Sequence, residues 1–203
     1  MLKLIGVVGD SIAHGFYDAE DLGWVARLGR LILQTQAGEF MFNNMAQSGD
    51  NIADAYARAV AEVGSRHFDL ILVNVGINDL RRRKNSELQL DFSEGARIMY
   101  WQKLLGFLCS TGAKIVVADL LPVVEEKYTE DASLMRYNTD VERYNEIIRD
   151  VCAMYHVPFF ARNAVWKQRD LPALYQDATH PNARGHQIIA EEMFEFLQAQ
   201  NLI

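Results

Sequence analysis

The chain is poor in cysteine and in positive charge, and each shortage argues against a class of protein. Its 203 residues include only two cysteines and four prolines, and 27 acidic residues against 20 basic ones give a formal net charge of −7. This charge argues against nucleic-acid binding, because neutralising phosphates requires clustered Lys and Arg.

Cys109 and Cys152 lie among apolar neighbours in predicted helices, so they form neither a disulfide framework nor a CxxC metal pair. We expect both to be buried free thiols.

Long hydrophobic runs are also missing. No uninterrupted apolar stretch approaches the roughly 20 residues of a membrane-spanning helix, so we expect no stable membrane insertion. Met1 leads almost directly into a predicted strand without a charged and apolar leader, which favours the cytoplasm. A mature secreted chain given a new Met1 would look the same. The length and a hydrophobic content of 50% suit one globular domain over residues 1–203.

Apolar strands and amphipathic helices alternate five times along the chain. The predicted strands are 4–8, 39–44, 68–75, 114–118 and 157–160. The predicted long helices are 21–36, 52–63, 91–110, 137–155 and 183–200. This alternation predicts an α/β fold, a doubly wound three-layer α/β/α sandwich with a parallel sheet.

Ser11 follows the first strand, at the edge of the sheet where open α/β folds bind ligands. Serine becomes a nucleophile only when a positioned base removes its proton. Of the five histidines, only His180 has a carboxylate at a suitable spacing, Asp177 three residues earlier. Pro181 biases His180 away from helical geometry and keeps it in the loop before the last helix. Ser11, His180 and Asp177 are therefore candidates for nucleophile, base and orienting acid.

Acyl transfer also needs donors for the oxyanion that develops in the transition state. Three candidates follow predicted strands: the backbone N–H groups of Ser11 and Gly49, and the side-chain amide of Asn78. Because parallel strands end at the same edge of a sheet, we expect these donors to converge on one rim.

Four blocks in this order resemble the SGNH hydrolases, the superfamily of GDSL-type esterases and lipases that includes bacterial acyl-thioesterase/lysophospholipase enzymes. The blocks span 9–180 and are Gly9-Asp10-Ser11, Gly49, Gly76-Ile77-Asn78-Asp79 and Asp177-Ala178-Thr179-His180. The resemblance implies Ser11 as nucleophile, His180 as base, Asp177 as its partner, and Ser11, Gly49 and Asn78 as oxyanion donors. It also implies a five-stranded parallel sheet of order 2-1-3-4-5, a flavodoxin-like arrangement, with no metal or organic cofactor.

Several nearby residues have structural interpretations. We expect Asp10 to organise the turn before Ser11 and Asp79 to cap a helix. His14 either lines the pocket or has a structural role. Asp177, His180 and His186 could together suggest a metal site, although His186 lies within the last helix and no further ligand is evident.

Two further features adjoin the expected site. The only basic run, Arg81-Arg82-Arg83-Lys84, follows Asn78 and is interpreted as a solvated loop, with docking of an anionic substrate group as the alternative. The loops at 121–135 and 166–175 are candidates for shaping an acyl pocket.

The function predicted from the sequence is a serine hydrolase that cleaves small-molecule carboxylic esters or thioesters through an acyl-enzyme. Two alternatives stay open: an acyltransferase that uses the same site, and a non-catalytic binding module on the same fold. The sequence leaves open the natural acyl group and the oligomeric state.

Overall fold

The apolar runs of the sequence form one parallel sheet. The computed structural model describes residues 3–20, 23–35, 40–83, 90, 92–129 and 132–203. Its main-sheet strands, numbered here in chain order, are β1 Lys3–Gly9, β2 Phe40–Asn44, β3 Leu70–Asn74, β4 Lys114–Ala118 and β5 Phe159–Phe160. They lie in the order β2-β1-β3-β4-β5 with every pair parallel, which confirms the predicted 2-1-3-4-5 arrangement.

The centre of the sheet is apolar on both faces. All five residues of β3 are buried, and so are the last five residues of β1 beside it. A parallel strand covered by helices on both sides requires such a continuous apolar run. Gly9 and Asn74 pair at the carboxyl ends of these two strands, so the loops that follow them start side by side.

Helices cover both faces of the sheet. They are α1 Ser11–His14, α2 Gly23–Thr35, α3 Ile52–Val63, α4 Glu94–Ser110, α5 Asn138–Met154, α6 Asn163–Trp166, α7 Leu171–Leu174 and α8 Ala183–Ala199. α2 packs against α8, whereas α3 packs against α4 and α4 against α5. This is the three-layer α/β/α architecture that the alternation predicts.

The structure adds short elements that the hydrophobic pattern does not reveal. They are α1, α6, α7, the 3₁₀ turns Ile77–Leu80 and Glu125–Lys127, and an antiparallel ribbon of Arg82–Arg83 with Leu134–Met135. Elements of two to four residues carry no readable period. The predicted ends at 21, 36, 39 and 91 lie outside the described residues.

The cysteine expectation was wrong in one respect. Both thiols are free, but Cys109 near the end of α4 is exposed, and only Cys152 is buried. α4 turns one face to the solvent, and apolar neighbours in sequence do not tell which face a residue occupies.

The strand order places a ligand site between β1 and β3. From β1 the chain crosses to β2 on one side and then returns to β3 on the other, so the loops after β1 and β3 diverge around a crevice. Ligands bind at such a switch point in open α/β sheets. Of the helices in the described ranges, none is both long and apolar enough to cross a membrane.

Candidate active site

The structure brings Ser11, His180 and Asp177 into one hydrogen-bonded row. Ser11 Oγ lies 2.9 Å from His180 Nε2, and His180 Nδ1 lies 2.8 Å from Asp177 Oδ2. A carboxylate accepts only from a protonated ring nitrogen, so Nδ1 carries the proton and Nε2 is free to accept from Ser11. The row has the distances that a nucleophile, base and orienting acid require.

The turn before α8 holds Asp177 as a carboxylate. Its Oδ1 accepts from the backbone N–H groups of Thr179 and His180, each at 2.7 Å. Partial burial alone would raise the pKa of Asp177, but the hydrogen bonds from the His180 ring and from these two N–H groups outweigh it and lower the pKa to about 2. Asp177 is therefore ionised at neutral pH and fixes both the ring tautomer and the backbone that carries it.

Ser11 is the first residue of α1, directly after β1. Asp10 caps this helix, with Oδ1 accepting from Ile12 N–H at 3.0 Å, as the sequence predicts for a turn-organising residue. A Cβ on Gly9 would lie 2.4 Å from Ala13 Cβ and 2.8 Å from the Asn74 carbonyl oxygen. Only glycine allows α1 to sit this close to the strand ends and so presents the Ser11 N–H and Oγ there.

Asp10 is a buried carboxyl group next to Ser11. It is 1% exposed, and burial raises its pKa to about 6, although the Ile12 N–H and the charges of His180 and Arg136 oppose the rise. Its side chain stabilises the turn and makes no hydrogen bond to Ser11 Oγ among the contacts of the described residues.

Gly49 and Asn78 lie next to each other on the other side of the crevice. Gly49 has φ of +94°, a conformation strained for any residue with a side chain, and it is exposed. Asn78, in the 3₁₀ turn after β3, donates from Nδ2 to the carbonyl of Asp50 at 2.9 Å. This bond ties the Asn78 amide to the Gly49 turn through one N–H, and the contacts of the described residues include no acceptor for the second N–H.

Two arginines fix the orientation of the Asn78 amide. Asn78 Oδ1 accepts from Arg136 Nη2 at 2.9 Å and from Arg81 Nη2 at 2.8 Å. Guanidinium groups donate only, so the amide oxygen must face them and the NH₂ must face away. Arg81 also donates to the Gly49 carbonyl at 3.1 Å. Sequence reasoning did not find Arg136, which is 58 residues from Asn78 and belongs to no motif.

Arg136 also links the turn that carries Asn78 to the loop that carries His180. It is buried, its Nε donates to the Ile77 carbonyl at 2.8 Å, and its Nη1 donates to Thr179 Oγ1 at 3.2 Å. One guanidinium thus bonds the backbone before Asn78, the amide of Asn78, and the Thr179 hydroxyl just before His180.

Asp79 caps a helix, as predicted, although not its own. Both carboxylate oxygens accept from Ile52 N–H, at 3.2 and 3.1 Å, at the start of α3. It is fully buried, and burial raises its pKa to about 7 against the Ile52 hydrogen bond and the Arg97 charge. The bond positions α3 relative to the turn that carries Asn78.

The other histidines have structural contacts. His14 Nδ1 lies 3.0 Å from the Ala46 carbonyl, which ties α1 to the chain after β2. His186 is buried, and its two ring nitrogens are 3.3 Å from Trp24 N and from the Phe16 carbonyl. Over the described residues no group of three or more His, Cys, Asp or Glu side chains is placed to hold a metal ion. His186 does not join Asp177 and His180.

The basic run is not simply a solvated loop. Arg81 contacts the site as described, and Arg82 makes a bidentate pair with Asp140 at 2.7 and 2.8 Å. Arg83 is in the short ribbon, and Lys84 lies outside the described residues. The first two side chains of the run act as structural links.

Both loops predicted to shape a pocket border the turn that carries His180, the second through a backbone bridge between Tyr175 and Pro181. In the 121–135 loop, Val124 N–H donates to the Ala178 carbonyl at 2.8 Å, and Tyr128 Oη lies 3.3 Å from Thr179 Oγ1. In the 166–175 segment, Trp166 and Tyr175 are buried and pack against each other, so their rings belong to the core.

Two aromatic residues that the sequence reasoning missed flank the imidazole. The ring centroids of Phe16 and Tyr17 lie 5.0 and 5.6 Å from that of His180. Their position just after α1 was the available signal, since any residue there must lie close to Ser11.

Comparison with known proteins places this geometry in context. Residues 7–188 match the model of the GDSL-like lipase/acylhydrolase family. Similar solved structures include a lipase/acylhydrolase from Enterococcus faecalis, at 17% identity and a TM-score of 0.80, covering 98% of this chain and 97% of that one. Another is the acetyl xylan esterase AlAXEase, at 18% identity and 0.78, covering 96% and 99%.

A third similar structure is LAE5, an alpha/beta hydrolase enzyme from the metagenome of Lake Arreo, Spain. It shares 24% identity at a TM-score of 0.77, covering 98% of this chain and 95% of that one. At such identities these likenesses show the fold. No curated protein matches the sequence.

Proposed function

The chain belongs to the GDSL-like lipase/acylhydrolase family, and from this premise we propose that it is a serine ester hydrolase whose residues 1–203 form one catalytic domain. Ser11 is the nucleophile, His180 the base and Asp177 the residue that orients it. The observation that carries the proposal is the hydrogen-bonded row from Ser11 Oγ through His180 to Asp177, with distances of 2.9 and 2.8 Å.

Acylation begins when Ser11 Oγ attacks the substrate carbonyl carbon and its proton passes to His180 Nε2. The carbonyl oxygen becomes an oxyanion, which accepts from Ser11 N–H, Gly49 N–H and the free N–H of Asn78. The imidazolium that forms is stabilised by the Asp177 carboxylate. His180 then protonates the departing oxygen or sulfur, and the bond between it and the acyl carbon breaks.

Deacylation repeats these steps with water as the nucleophile. His180 accepts a proton from the water as it attacks the acyl carbon, and the same three donors hold the second oxyanion. Collapse of that intermediate returns the proton to Ser11 Oγ and releases a carboxylic acid. Apart from the substrate and water, every group used in these steps belongs to the chain.

The substrates proposed are small-molecule esters, with thioesters as chemically competent alternatives. Hydrolysis of acetylated sugars is also proposed, because the structurally similar AlAXEase is described as an acetyl xylan esterase. A panel of p-nitrophenyl esters of increasing acyl length, one thioester and acetylated xylose oligomers separates these classes.

Labelling with a fluorophosphonate probe tests the nucleophile directly. We expect one adduct on Ser11 in the folded protein, and we expect Ser11→Ala to lose both the adduct and ester turnover while keeping its circular dichroism spectrum. Ser65→Ala, at an exposed serine after α3, is the matched control and should label normally. A folded wild-type protein without an adduct would contradict the hydrolase proposal and favour a binding module.

Acyl transfer is the second candidate reaction, because any nucleophile that reaches the acyl-enzyme can replace water. Turnover with added alcohol, followed by product analysis, distinguishes the two. A hydrolase gives mainly the free acid, whereas a transferase gives mainly the new ester.

A further inference from the structure

Phe16 and Tyr17 are the two exposed aromatic residues among those the structure describes. They are 43% and 50% exposed, and their ring centroids are 4.4 Å apart with planes inclined by 56°. Both rings also contact the imidazole of His180, one tilted and one edge-on. Both exposed aromatic side chains of the described residues thus lie at the proposed catalytic base.

The chain holds this pair in place at a conformational cost. Tyr17 has φ of +65°, which a residue with a bulky side chain seldom adopts and which Asn or Gly adopts more easily. Such strain in a folded protein points to a functional constraint on the side chain. A tyrosine kept at a position that disfavours it, with half of its surface in water, contributes little to the core.

Buried contacts fix the backbone on either side of the two rings. The His186 ring lies 3.3 Å from the Phe16 carbonyl, and Asp18, the next residue after Tyr17, makes a buried ion pair with Arg27 at 2.8 Å. The rings therefore stand on a rigid base, and a ligand that packs against them loses little of its affinity to ordering the loop.

The proposed mechanism assigns these rings to one part of the substrate. The carbonyl oxygen points to Gly49 and Asn78, whereas the leaving group receives its proton from His180 Nε2. The leaving group must therefore pass beside the imidazole, where the rings are. A cationic leaving group is disfavoured there, because the imidazolium that forms in the transition state would repel it.

We infer that Phe16 and Tyr17 form a subsite for the leaving group of the ester, selecting alcohols that carry a neutral ring with an apolar face. This inference rests on the proposed hydrolase function. Two inclined rings form an open corner that offers both stacked and edge-on contact to a flat or puckered ring. Phenols and pyranose sugars share this feature, and the experiment separates them.

The test compares acetate esters with and without a ring in the leaving group. Phenyl acetate is paired with hexafluoroisopropyl acetate, whose alcohol has similar acidity, and a monoacetylated methyl xyloside is paired with isopropyl acetate. The acyl group is constant, so differences in kcat/KM report the leaving group. The variants are Phe16→Leu and Tyr17→Asn, the second of which suits the positive φ. Tyr17→Phe keeps the ring, and Met41→Ala changes an exposed apolar residue on β2.

We expect Phe16→Leu and Tyr17→Asn to lower kcat/KM for ring-bearing esters by about 5-fold, a typical effect of one aromatic contact. Met41→Ala should match the wild type, and Tyr17→Phe, which keeps the ring, should lose less kcat/KM for ring-bearing esters than Tyr17→Asn. The kcat/KM values for the ringless esters should not change in Phe16→Leu or Tyr17→Asn. A loss confined to phenyl acetate identifies phenols, one confined to the xyloside identifies sugars, and both together identify the shared ring. An equal loss for ringless esters would mean that the rings only position His180, and no loss would leave them without a role; either result overturns the inference.

A binding measurement separates this inference from the proposed function. Phenol and methyl xyloside are titrated into Ser11→Ala protein and into Ser11→Ala/Tyr17→Asn protein, and binding is followed through the NMR signals of His180. If the wild type hydrolyses no ester and takes up no fluorophosphonate, the hydrolase proposal fails. Weaker ring binding in the double variant would still support the subsite, and equal binding would exclude it.

Discussion

The two sides of the crevice are built in different ways. On the proton-transfer side, Asp177 and His180 are three residues apart, and the Asp177 carboxylate bonds both the ring and the backbone N–H of His180. On the oxyanion side, Asn78 is oriented by Arg136 from a segment 58 residues away and by Arg81. The Asp177–His180 pair is held by hydrogen bonds within one turn. The Asn78 amide is held by two charged side chains, of which Arg136 is buried and distant in sequence.

This difference implies different sensitivities to mutation. A local turn keeps its geometry when the surroundings change. Variants in the Asp177–His180 turn should therefore lose catalytic activity while staying folded. The oxyanion side combines geometry and stability in the same residues, because a buried guanidinium leaves unsatisfied acceptors behind when it is removed. Variants of His180, Asn78 and Arg136 test this contrast.

The largest effect is expected at the base. His180→Ala removes the group that accepts the Ser11 proton, and we expect kcat to fall on the order of 10⁴-fold or more with little change in melting temperature. Steady-state kinetics and thermal unfolding measure both. His67→Ala, at an exposed histidine, should behave as the wild type. Near-normal turnover in His180→Ala would show that His180 is not the base, and the contrast between the two sides of the crevice would then fail.

The next effect is expected at Asn78. Asn78→Ala removes one oxyanion donor, so kcat should fall by about 10²- to 10³-fold while KM changes little. Asn78→Asp tests the sign of the charge, because a carboxylate repels the oxyanion and should be at least as damaging. A large rise in KM with unchanged kcat would show that Asn78 binds the ground state instead.

A smaller loss is expected at Arg136, which acts through Asn78 and not on the substrate. Arg136→Lys keeps the charge but cannot reproduce three directed hydrogen bonds, and we expect kcat to fall by about 10-fold. Added guanidinium at millimolar concentration should restore part of the activity in Arg136→Ala. The control is Arg143→Lys, at an exposed arginine paired with Glu94 and Glu146. Failure of rescue, together with an unchanged kcat in Arg136→Lys, would make Arg136 a purely structural residue.

The smallest effect concerns the pH dependence of the free energy of unfolding, to which His186, in contact with the Phe16 carbonyl, contributes. Burial lowers the pKa of His186 to about 4 from its usual 6.5, opposed by the hydrogen bond to Phe16. Between these values the unfolded chain binds a proton that the folded chain does not, so the free energy of unfolding falls as pH falls. We expect this histidine to remove roughly 1 kcal/mol between pH 6.5 and 5.5.

The His186 effect is measured as a difference, because Asp10 and Asp79 have raised pKa values and act in the opposite direction. Urea unfolding at the two pH values is compared between wild type and His186→Gln, and the drop should be smaller by that amount in the variant. His67→Gln controls for an exposed histidine. An equal pH dependence in wild type and His186→Gln would show that the buried ring carries no such penalty.

The sequence predicted the parts of the molecule that are set by local or periodic signals. The apolar runs predicted the five strands, and the family resemblance implied their order. α3 was predicted at its observed bounds, Ile52–Val63, and in the structure Asn51 and Asp54 form a capping box at its start. The strand ends and the family motifs predicted that Ser11, Gly49, Asn78, Asp177 and His180 lie on one rim. The structure joins Ser11, His180 and Asp177 by hydrogen bonds, and the Asn78 amide bonds the carbonyl of Asp50, the residue after Gly49. Their catalytic roles are proposals that await the kinetic tests.

What the sequence did not reveal depends on pairing between distant segments. Nothing near Arg136 marks it as the partner of Asn78 and Thr179. The basic run was expected to adjoin the site, but its charge does not reveal that Arg81 bonds Asn78 and Gly49. Phe16 and Tyr17 were missed because exposed aromatic residues in a loop have no periodicity. Cys109 was predicted to be buried because composition alone cannot distinguish the two faces of α4.

The bond between Ser11 and His180 joins residues 169 positions apart in the chain. Contacts of such long range form late in folding, since the intervening chain must first be ordered. Helices and the first strand pairs can appear in a refolding chain while the nucleophile still lacks its base. The recovery of ester hydrolysis after dilution from urea should thus lag behind the recovery of helical circular dichroism. The length of this lag measures how long the contact between Ser11 and His180 takes to form.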